Sequence, residues 1–146
     1  MNATPWRIVP ADWVRDREAL RHVRETVFVH EQGVPPDMEW DDMDPDAVHV
    51  LARDATGAAI GTGRLTREQA IGRMAVLAPW RGCGVGAALL TALLDHARRL
   101  GHATVTLHAQ VDAIGFYQRF GFHAHGEEFL EAGIRHRHMR RPLGTP

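Results

Sequence analysis

The chain has 146 residues, the size of one domain, and we expect a single domain with one hydrophobic core over residues 1–146. Its 17 basic and 18 acidic residues leave a net charge of -1, which excludes a global electrostatic field for nucleic acid or an anionic membrane. All 17 basic residues are arginines, so a phosphate-binding loop ending in G-K-[ST] and lysine-based chemistry are both excluded.

The first thirty residues predict a strand and a helix. The opening stretch MNATPWRIV lacks the basic and long apolar regions of a signal peptide, so a cytoplasmic protein is the expectation. WRIVP is typical of a short strand. A helix is predicted from about Asp16 to His30, because apolar residues recur there at helical spacing, namely Leu20, Val23 and Val27.

The segment Glu31–Asp46, which we call the acidic segment, has the sequence EQGVPPDMEWDDMDPD. Gly33, Pro35 and Pro36 end the preceding helix, so a loop is predicted. The segment holds seven acidic residues and no basic one, and this charge would attract a cationic amine and disfavour an acidic ligand. An ordinary solvated loop has the same composition, so both interpretations stay open.

Three strands and a long helix are predicted next. The strands are AVHVLARD, AAIGTGRLT and AIGRMAVLA, and their short polar connections predict an antiparallel meander. The segment RGCGVGAALL then opens a helix that ends at Gly101. Its apolar stripe consists of Val85, Leu89, Leu93, Ala97 and Leu100.

The remaining elements complete the predicted fold. The strand ATVTLHA follows a crossover helix and is therefore expected to run parallel to the strand before that helix. A short helix in VDAIGFYQRFGF and a hairpin of FHAHGEEF and GIRHRHMRR follow. The predicted class is a mixed α/β (α+β) fold with a central, mostly antiparallel sheet of about seven strands and helices on both faces.

The three glycines Gly82, Gly84 and Gly86 precede the long helix. A glycine-rich turn between a strand and a helix exposes N–H groups that bind a phosphate-type anion, and Arg81 adds a positive charge. Tight packing of the helix on its strand is the competing interpretation. The loose dinucleotide pattern G-x-G-x-x-A is also present, but three strands precede it and no ribose-binding acid follows in GHATVTLHAQ. Cys83 is the single cysteine, which fits a reducing compartment.

Two stretches of the sequence resemble motifs of a known protein family. The run MAVLAPWRGCGVGAALL is similar to the [QR]-x-x-G-x-[GA] motif of GCN5-related N-acetyltransferases (GNAT), with Arg81, Gly84 and Gly86 at its defined positions. A second family motif resembles A-x-x-x-Y-x-x-x-GF, which contains Tyr117. The order of elements resembles the family from Trp6 to Met139, and VFVHEQGVP, IGRMAV and FLEAGIRH resemble a bacterial subgroup of small acetyltransferases.

The resemblance implies that the chain uses acetyl coenzyme A (acetyl-CoA) as co-substrate. The diphosphate would lie on the backbone from Arg81 to Ala87, and the pantetheine arm would pair with the strand edge where that strand separates from its parallel neighbour TVTLHA. We call this gap between the two parallel strands the wedge. The cofactor-binding residues implied are Met74, Ala75, Val76, Arg81, Gly82, Cys83, Gly84, Val85, Gly86 and Ala87.

Transfer to an amine requires a proton acceptor, because an amine with a pKa of about 10.4 is deprotonated at pH 7 only at a cost of about 4.6 kcal/mol. Glu31 is the first candidate, as catalytic base or as the group that binds the ammonium form. His108, near the end of the strand beside the wedge, is the second candidate to receive this proton or to bind the ammonium form, because histidine gains and loses a proton near neutral pH. The resemblance places Tyr117 near the sulfur, where a hydrogen bond would tighten as charge builds.

Two alternatives stay open beside direct N-acetylation of a small, cationic amine: a non-catalytic binding module, and a nicotinamide-binding protein, which NAD rather than CoA would protect. A non-catalytic module that binds CoA or an acyl-CoA as a signal, in a monomer or a homodimer, would not require Tyr117 or the acidic segment. Four histidines on the closing hairpin would resemble a metal site if the register placed all of them on one face: His123, His125, His136 and His138. Because acyl transfer needs no metal, we predict no metal site.

Overall fold

The computed structural model describes residues 5–144, and this range contains seven β-strands and four α-helices. The strands are β1 (Trp6–Ala11), β2 (Val48–Asp54), β3 (Ala59–Leu65), β4 (Ile71–Val76), β5 (Thr104–Gln110), β6 (His123–Glu131) and β7 (Ile134–Pro142). The helices are α1 (Arg17–Arg24), α2 (Pro36–Glu39), α3 (Val85–Arg99) and α4 (Ile114–Gln118). No helix in the described range is long and apolar enough to cross a membrane.

The strands are divided between two antiparallel sheets. One sheet has the order β1-β2-β3-β4, and the other has the order β5-β7-β6, with β7 inserted between β5 and β6. The sheets meet at a parallel bridge between Ala70 and Thr106, where the Thr106 N–H donates to the Gln69 carbonyl at 3.0 Å. The predicted seven strands, their mostly antiparallel pairing and the parallel contact at the wedge are therefore confirmed.

Helices α1 and α3 pack on opposite faces of the four-stranded sheet, as predicted. The alternation of β2 shows this directly: Val50 and Ala52 pack in one cluster with α3, whereas Leu51 packs in a second cluster with α1. The leucines of α3 that face the sheet are 0–3% exposed, and each contributes about 1.5–3 kcal/mol by burial. Leu100 is 58% exposed, so its predicted place in the stripe is wrong, because the helix ends at Arg99.

The first helix changes its geometry along its length. Helix α1 continues as a π-helix over Glu25–Glu31, and the Gln32 N–H then donates to the Val27 carbonyl five residues earlier at 3.0 Å. The acidic segment follows, and the prediction of a loop is wrong in part, because α2 and a 3-10 turn over Asp44–Asp46 lie within it. These short elements form where buried ion pairs hold the segment against the sheets.

Candidate functional site

A wedge-shaped gap separates β4 from β5 beyond the bridge that joins the two sheets. Each strand pairs with a different neighbour, β4 with β3 and β5 with β7, so nothing holds their facing edges together. A cavity of about 680 Å³, which we call the large cavity, lies there. Met74 of β4, His108 of β5 and Tyr117 of α4 all line it. The structure therefore brings three of the predicted site residues to one cavity.

A β-bulge in β4 shapes the edge of the wedge. Thr62 of β3 pairs with Ala75, but Arg64 pairs with Gly72, so two residues of β4 oppose Gly63 alone. Arg73 adopts a φ of 51° within this bulge, a left-handed conformation that an arginine rarely adopts. Bulges of this kind redirect a strand next to functional sites.

The glycine turn, residues 81–87, borders a second cavity of about 240 Å³, the small cavity, at the start of α3. Gly82 and Gly84 have φ values of 78° and 89°, which explains why glycine occupies both positions. A Cβ atom added at Gly82 would meet nothing within 4 Å, so no side chain fills the turn there. Of the predicted cofactor residues in this turn, all except Cys83 line the small cavity.

The guanidinium group of Arg81 is already engaged. Its Nε donates to the Val76 carbonyl at 2.9 Å, and its two terminal nitrogens each donate to Glu31 at 2.7 Å. The hydrogen bond from Arg81 lowers the pKa of Glu31, which makes its carboxylate a weaker proton acceptor. The structure thus places Glu31 with the glycine turn rather than beside Tyr117, and the catalytic role of Glu31 stays a prediction that this geometry disfavours.

Tyr117 projects from α4 into the large cavity and is held by aromatic neighbours. Its ring lies 5.1 Å from that of Phe116 and 5.9 Å from that of the buried Phe122. Burial raises the pKa of Tyr117 to about 12, so the phenol keeps its proton at neutral pH. Phe116 lines the small cavity, so two consecutive residues of α4 line different cavities.

The acidic segment carries less free charge than its sequence predicts. Arg24 of α1 is 1% exposed, and its Nη1 donates to Asp44 at 2.9 Å while its Nε donates to the Glu39 carboxylate. Arg64 of β3 donates to Asp44 and to Asp41, each at 2.7 Å. Arginines that are distant in sequence therefore offset part of the −7 charge.

A third arginine completes this arginine–carboxylate network, which consists of Arg24, Arg64, Arg73, Glu39, Asp41 and Asp44. Arg73 donates to Asp41 at 3.1 Å and to the Glu39 carbonyl at 3.0 Å. Three guanidinium groups thus face three carboxylates. The charge of the whole segment is therefore smaller than its sequence predicts; among the carboxylates outside the network, Asp37 lines the large cavity.

The arginine–carboxylate network makes the free energy of unfolding depend on pH in the acid range. The hydrogen bond from Arg64 holds the pKa of Asp41 at about 2, below its ordinary value of 3.8. Because the folded-state pKa is lowered, this stabilisation is present above the unfolded value and is lost as the pH falls through the folded one. We expect the unfolding free energy of the wild type to fall by about 1–2 kcal/mol more than that of Asp41→Asn between about pH 4 and pH 2, after a discount for partial exposure. Urea titrations check this, and equal losses would contradict it.

Sequence reasoning missed Glu131, whose carboxylate lies on the wall of the large cavity. His108 Nδ1 lies 2.9 Å from Glu131 Oε1, and His136 Nε2 lies 3.8 Å from Glu131 Oε2. Both Glu131 and His136 belong to the stretch FLEAGIRH, which was recognised only as a subgroup signature. The pairing could not be read from the sequence, because it depends on the position of β7 between β5 and β6.

The histidines of the closing hairpin share one face of the smaller sheet. His125 pairs with His138 across the strands, and His138 pairs with His108 on the other side. The register condition for a metal site is thus met, but within residues 5–144 no three His, Cys, Asp or Glu side chains come close enough to hold a metal ion.

The chain is similar in sequence and in structure to several known proteins. Residues 16–143 match a family model described as an acetyltransferase (GNAT) domain. The chain is 37% identical to the uncharacterized N-acetyltransferase YjcF of Bacillus subtilis over 81% of this chain and 86% of that protein. The crystal structure of an acyl-CoA N-acyltransferase from Pseudomonas aeruginosa has 32% sequence identity to this chain and a TM-score of 0.82. The two align over 93% of this chain and 99% of that one. Escherichia coli ElaA is 29% identical, with a TM-score of 0.80 over 93% of this chain and 97% of that one.

Proposed function

Because the chain belongs to the GNAT acetyltransferase family, we propose that it transfers the acetyl group of acetyl-CoA directly to the amine of a small, cationic acceptor. The observation that carries this proposal is that neighbouring residues of the same two elements line the two cavities. Val76 and Phe116 line the small cavity, while Met74 and Tyr117, their neighbours in β4 and α4, line the large one. One extended ligand fits a path from the start of α3 along β4 to Tyr117.

The chain's residues fit acetyl-CoA along this path. Helix α3 has 15 residues, and its N-terminal amides and dipole favour a diphosphate beside Gly82 to Ala87. Because Arg81 is engaged by Glu31, the main chain rather than its guanidinium would make most of the contacts. Met74, Ala75 and Val76 would hold the pantetheine arm through their backbone, since the Ala75 side chain is buried in the core. Acetyl-CoA would supply the thioester that donates the acetyl group.

The acceptor is proposed to be cationic on the basis of two carboxylates. Asp37 and Glu131 line the large cavity and lie outside the balanced arginine–carboxylate network. An ammonium group entering the cavity would therefore meet uncompensated negative charge, which raises its local concentration and opposes acidic acceptors. Direct transfer is favoured over an acyl-enzyme, because the single cysteine, Cys83, lies in the glycine turn and does not line the large cavity.

Tyr117→Phe is expected to lower kcat by about 10- to 100-fold, because the phenol donates a hydrogen bond to the departing sulfur, and hydrogen bonds to charged groups contribute about 1.5–3 kcal/mol. The dissociation constant of acetyl-CoA should change little, since the hydroxyl acts on charge that develops during the reaction. Thiol release measures kcat and calorimetry measures the affinity. Unchanged turnover would show that Tyr117 only packs against its aromatic neighbours.

The proposed function is tested by incubating the protein with acetyl-CoA and a panel of amines and following thiol release. Turnover with at least one amine is expected. Tight binding of acetyl-CoA without turnover on any amine would favour the non-catalytic binding module instead. Thermal stabilisation by acetyl-CoA and none by NAD is expected in parallel, and the reverse result would favour the nicotinamide-binding interpretation.

A further inference from the structure

We propose that His108 removes the proton from the acceptor ammonium and that Glu131 positions His108 for this task, an inference that rests on the proposed function. The two residues lie on different strands, β5 and β6, and are brought together only by the insertion of β7. Both line the large cavity together with Tyr117. His108 is thus the catalytic residue of the pair, and Glu131 is its positioning residue.

The hydrogen bond between them fixes the tautomer of His108. An ionised carboxylate only accepts hydrogen bonds, so the His108 Nδ1 that lies 2.9 Å from Glu131 Oε1 must carry the hydrogen. The other ring nitrogen, Nε2, then keeps its lone pair. A carboxylate that orients an imidazole in this way also stabilises the imidazolium that forms when Nε2 accepts a proton.

The rings around His108 restrict its orientation. The Phe129 ring packs edge-on at 5.1 Å, and the His138 ring packs at 4.6 Å. His136 donates from Nδ1 to the Ile134 carbonyl at 2.7 Å, which fixes its ring with Nε2 towards Glu131. The two ring contacts restrict the orientation of His108, whereas exposed histidines usually sample several rotamers.

Glu31, Tyr117 and the free carboxylates are poorer proton acceptors than an imidazole. Glu31 is bound by Arg81, and Tyr117 keeps its proton because burial raises its pKa to about 12. A free carboxylate has a reference pKa of about 4, whereas that of an imidazole is about 6.5, closer to neutral pH. Glu131 and His138 contact His108 directly. The other titratable or charged groups that line the large cavity are His136 of β7, Arg64 and Arg73 of β3 and β4, Asp37, Glu39 and Asp41 of the acidic segment, and Tyr117 of α4. His125 of β6 and Arg140 of β7 lie on the same sheet face as His108.

The proton balance is complete without any further reactant. The acceptor ammonium gives one proton to His108 Nε2, and the free amine then attacks the thioester carbonyl. The new C–N bond forms as the C–S bond breaks, and the nitrogen loses a second proton as it becomes an amide. One of the two protons ends on the thiol, and the other reaches solvent from the His108 imidazolium.

The pH profile of kcat/KM for the acceptor tests the pair. His108→Gln should lower kcat/KM by at least about 100-fold near pH 7, and the deficit should shrink as the pH approaches the amine pKa of about 10, where no base is needed. Glu131→Gln keeps an oxygen that accepts from Nδ1–H but removes the charge, so the acid limb of the profile should move to lower pH. Glu128→Gln is the matched control on β6, because Glu128 pairs with Arg135 at 2.6 Å and does not line the cavity; its profile should match the wild type.

NMR of the His108 ring nitrogens provides a readout that is independent of the acceptor. The hydrogen should lie on Nδ1 in the wild type and in Glu128→Gln, and this preference should weaken in Glu131→Gln, whose amide can also donate to Nδ1. If the wild type acetylates an amine but His108→Gln keeps the wild-type pH profile, the roles assigned to His108 and Glu131 are wrong, while the proposed function stands. If the wild type acetylates no amine, both are overturned. An unchanged tautomer preference in Glu131→Gln overturns the positioning role of Glu131.

Discussion

Gly86→Leu is expected to raise the dissociation constant of acetyl-CoA by at least about 100-fold, or about 2.7 kcal/mol. A Cβ atom at position 86 would lie 3.7 Å from Phe116 Cζ and 3.9 Å from Val76 Cγ2. Both of these residues line the small cavity, so a leucine side chain would fill the space assigned to the diphosphate. Isothermal titration calorimetry measures the change.

The fold should tolerate this substitution. Gly86 lies in the first turn of α3 with an ordinary helical φ, and leucine is favoured over glycine in a helix by about 1 kcal/mol. Gly115→Leu is the matched control, because Gly115 is exposed in α4 and a Cβ there would meet nothing within 4 Å. If Gly86→Leu binds acetyl-CoA as tightly as Gly115→Leu, the small cavity does not hold the diphosphate.

Local signals explain why most of the fold could be predicted. The apolar stripe of α3 indicates which side of the helix is buried, as the packing of Leu89 confirms. The apolar run of β2 suits a strand that is covered on both faces, and Leu51 and Val50 pack on opposite ones. The glycine turn was also predictable, because two of its residues need a positive φ. These features depend only on neighbouring residues, and a single sequence contains that information.

The features that were missed depend on pairings between distant residues. Arg24 and Asp44 are twenty residues apart, and each looks like an ordinary surface charge in the sequence. The contact between His108 and Glu131 depends on strand order, and the contact between Glu31 and Arg81 depends on where the π-helix ends. Charge counts therefore overestimated the field of the acidic segment, since a count cannot tell a solvated carboxylate from one that is buried and paired.

Arg24→Met is expected to lower the free energy of unfolding by about 3–5 kcal/mol, the typical loss when one partner of a buried ion pair is removed. Glu39 and Asp44 are 2% and 0% exposed, so their carboxylates would stay buried without their main counter-charge. Glu39 Oε2 already lacks a hydrogen-bond partner among the described residues, and burial raises the pKa of Glu39. Urea unfolding near neutral pH measures the loss.

The same helix supplies a control. Arg21→Met removes an arginine that is 45% exposed and lies 3.6 Å from Glu18, so its loss should stay below about 1 kcal/mol. Adding Glu39→Gln to Arg24→Met should restore part of the stability, because it removes a buried negative charge. Equal losses for Arg24→Met and Arg21→Met would contradict a role of charge pairing. Helix α2 contributes Asp37 and Met38 to the large cavity. Arg24→Met should therefore raise the KM of the acceptor more than it changes the affinity for acetyl-CoA.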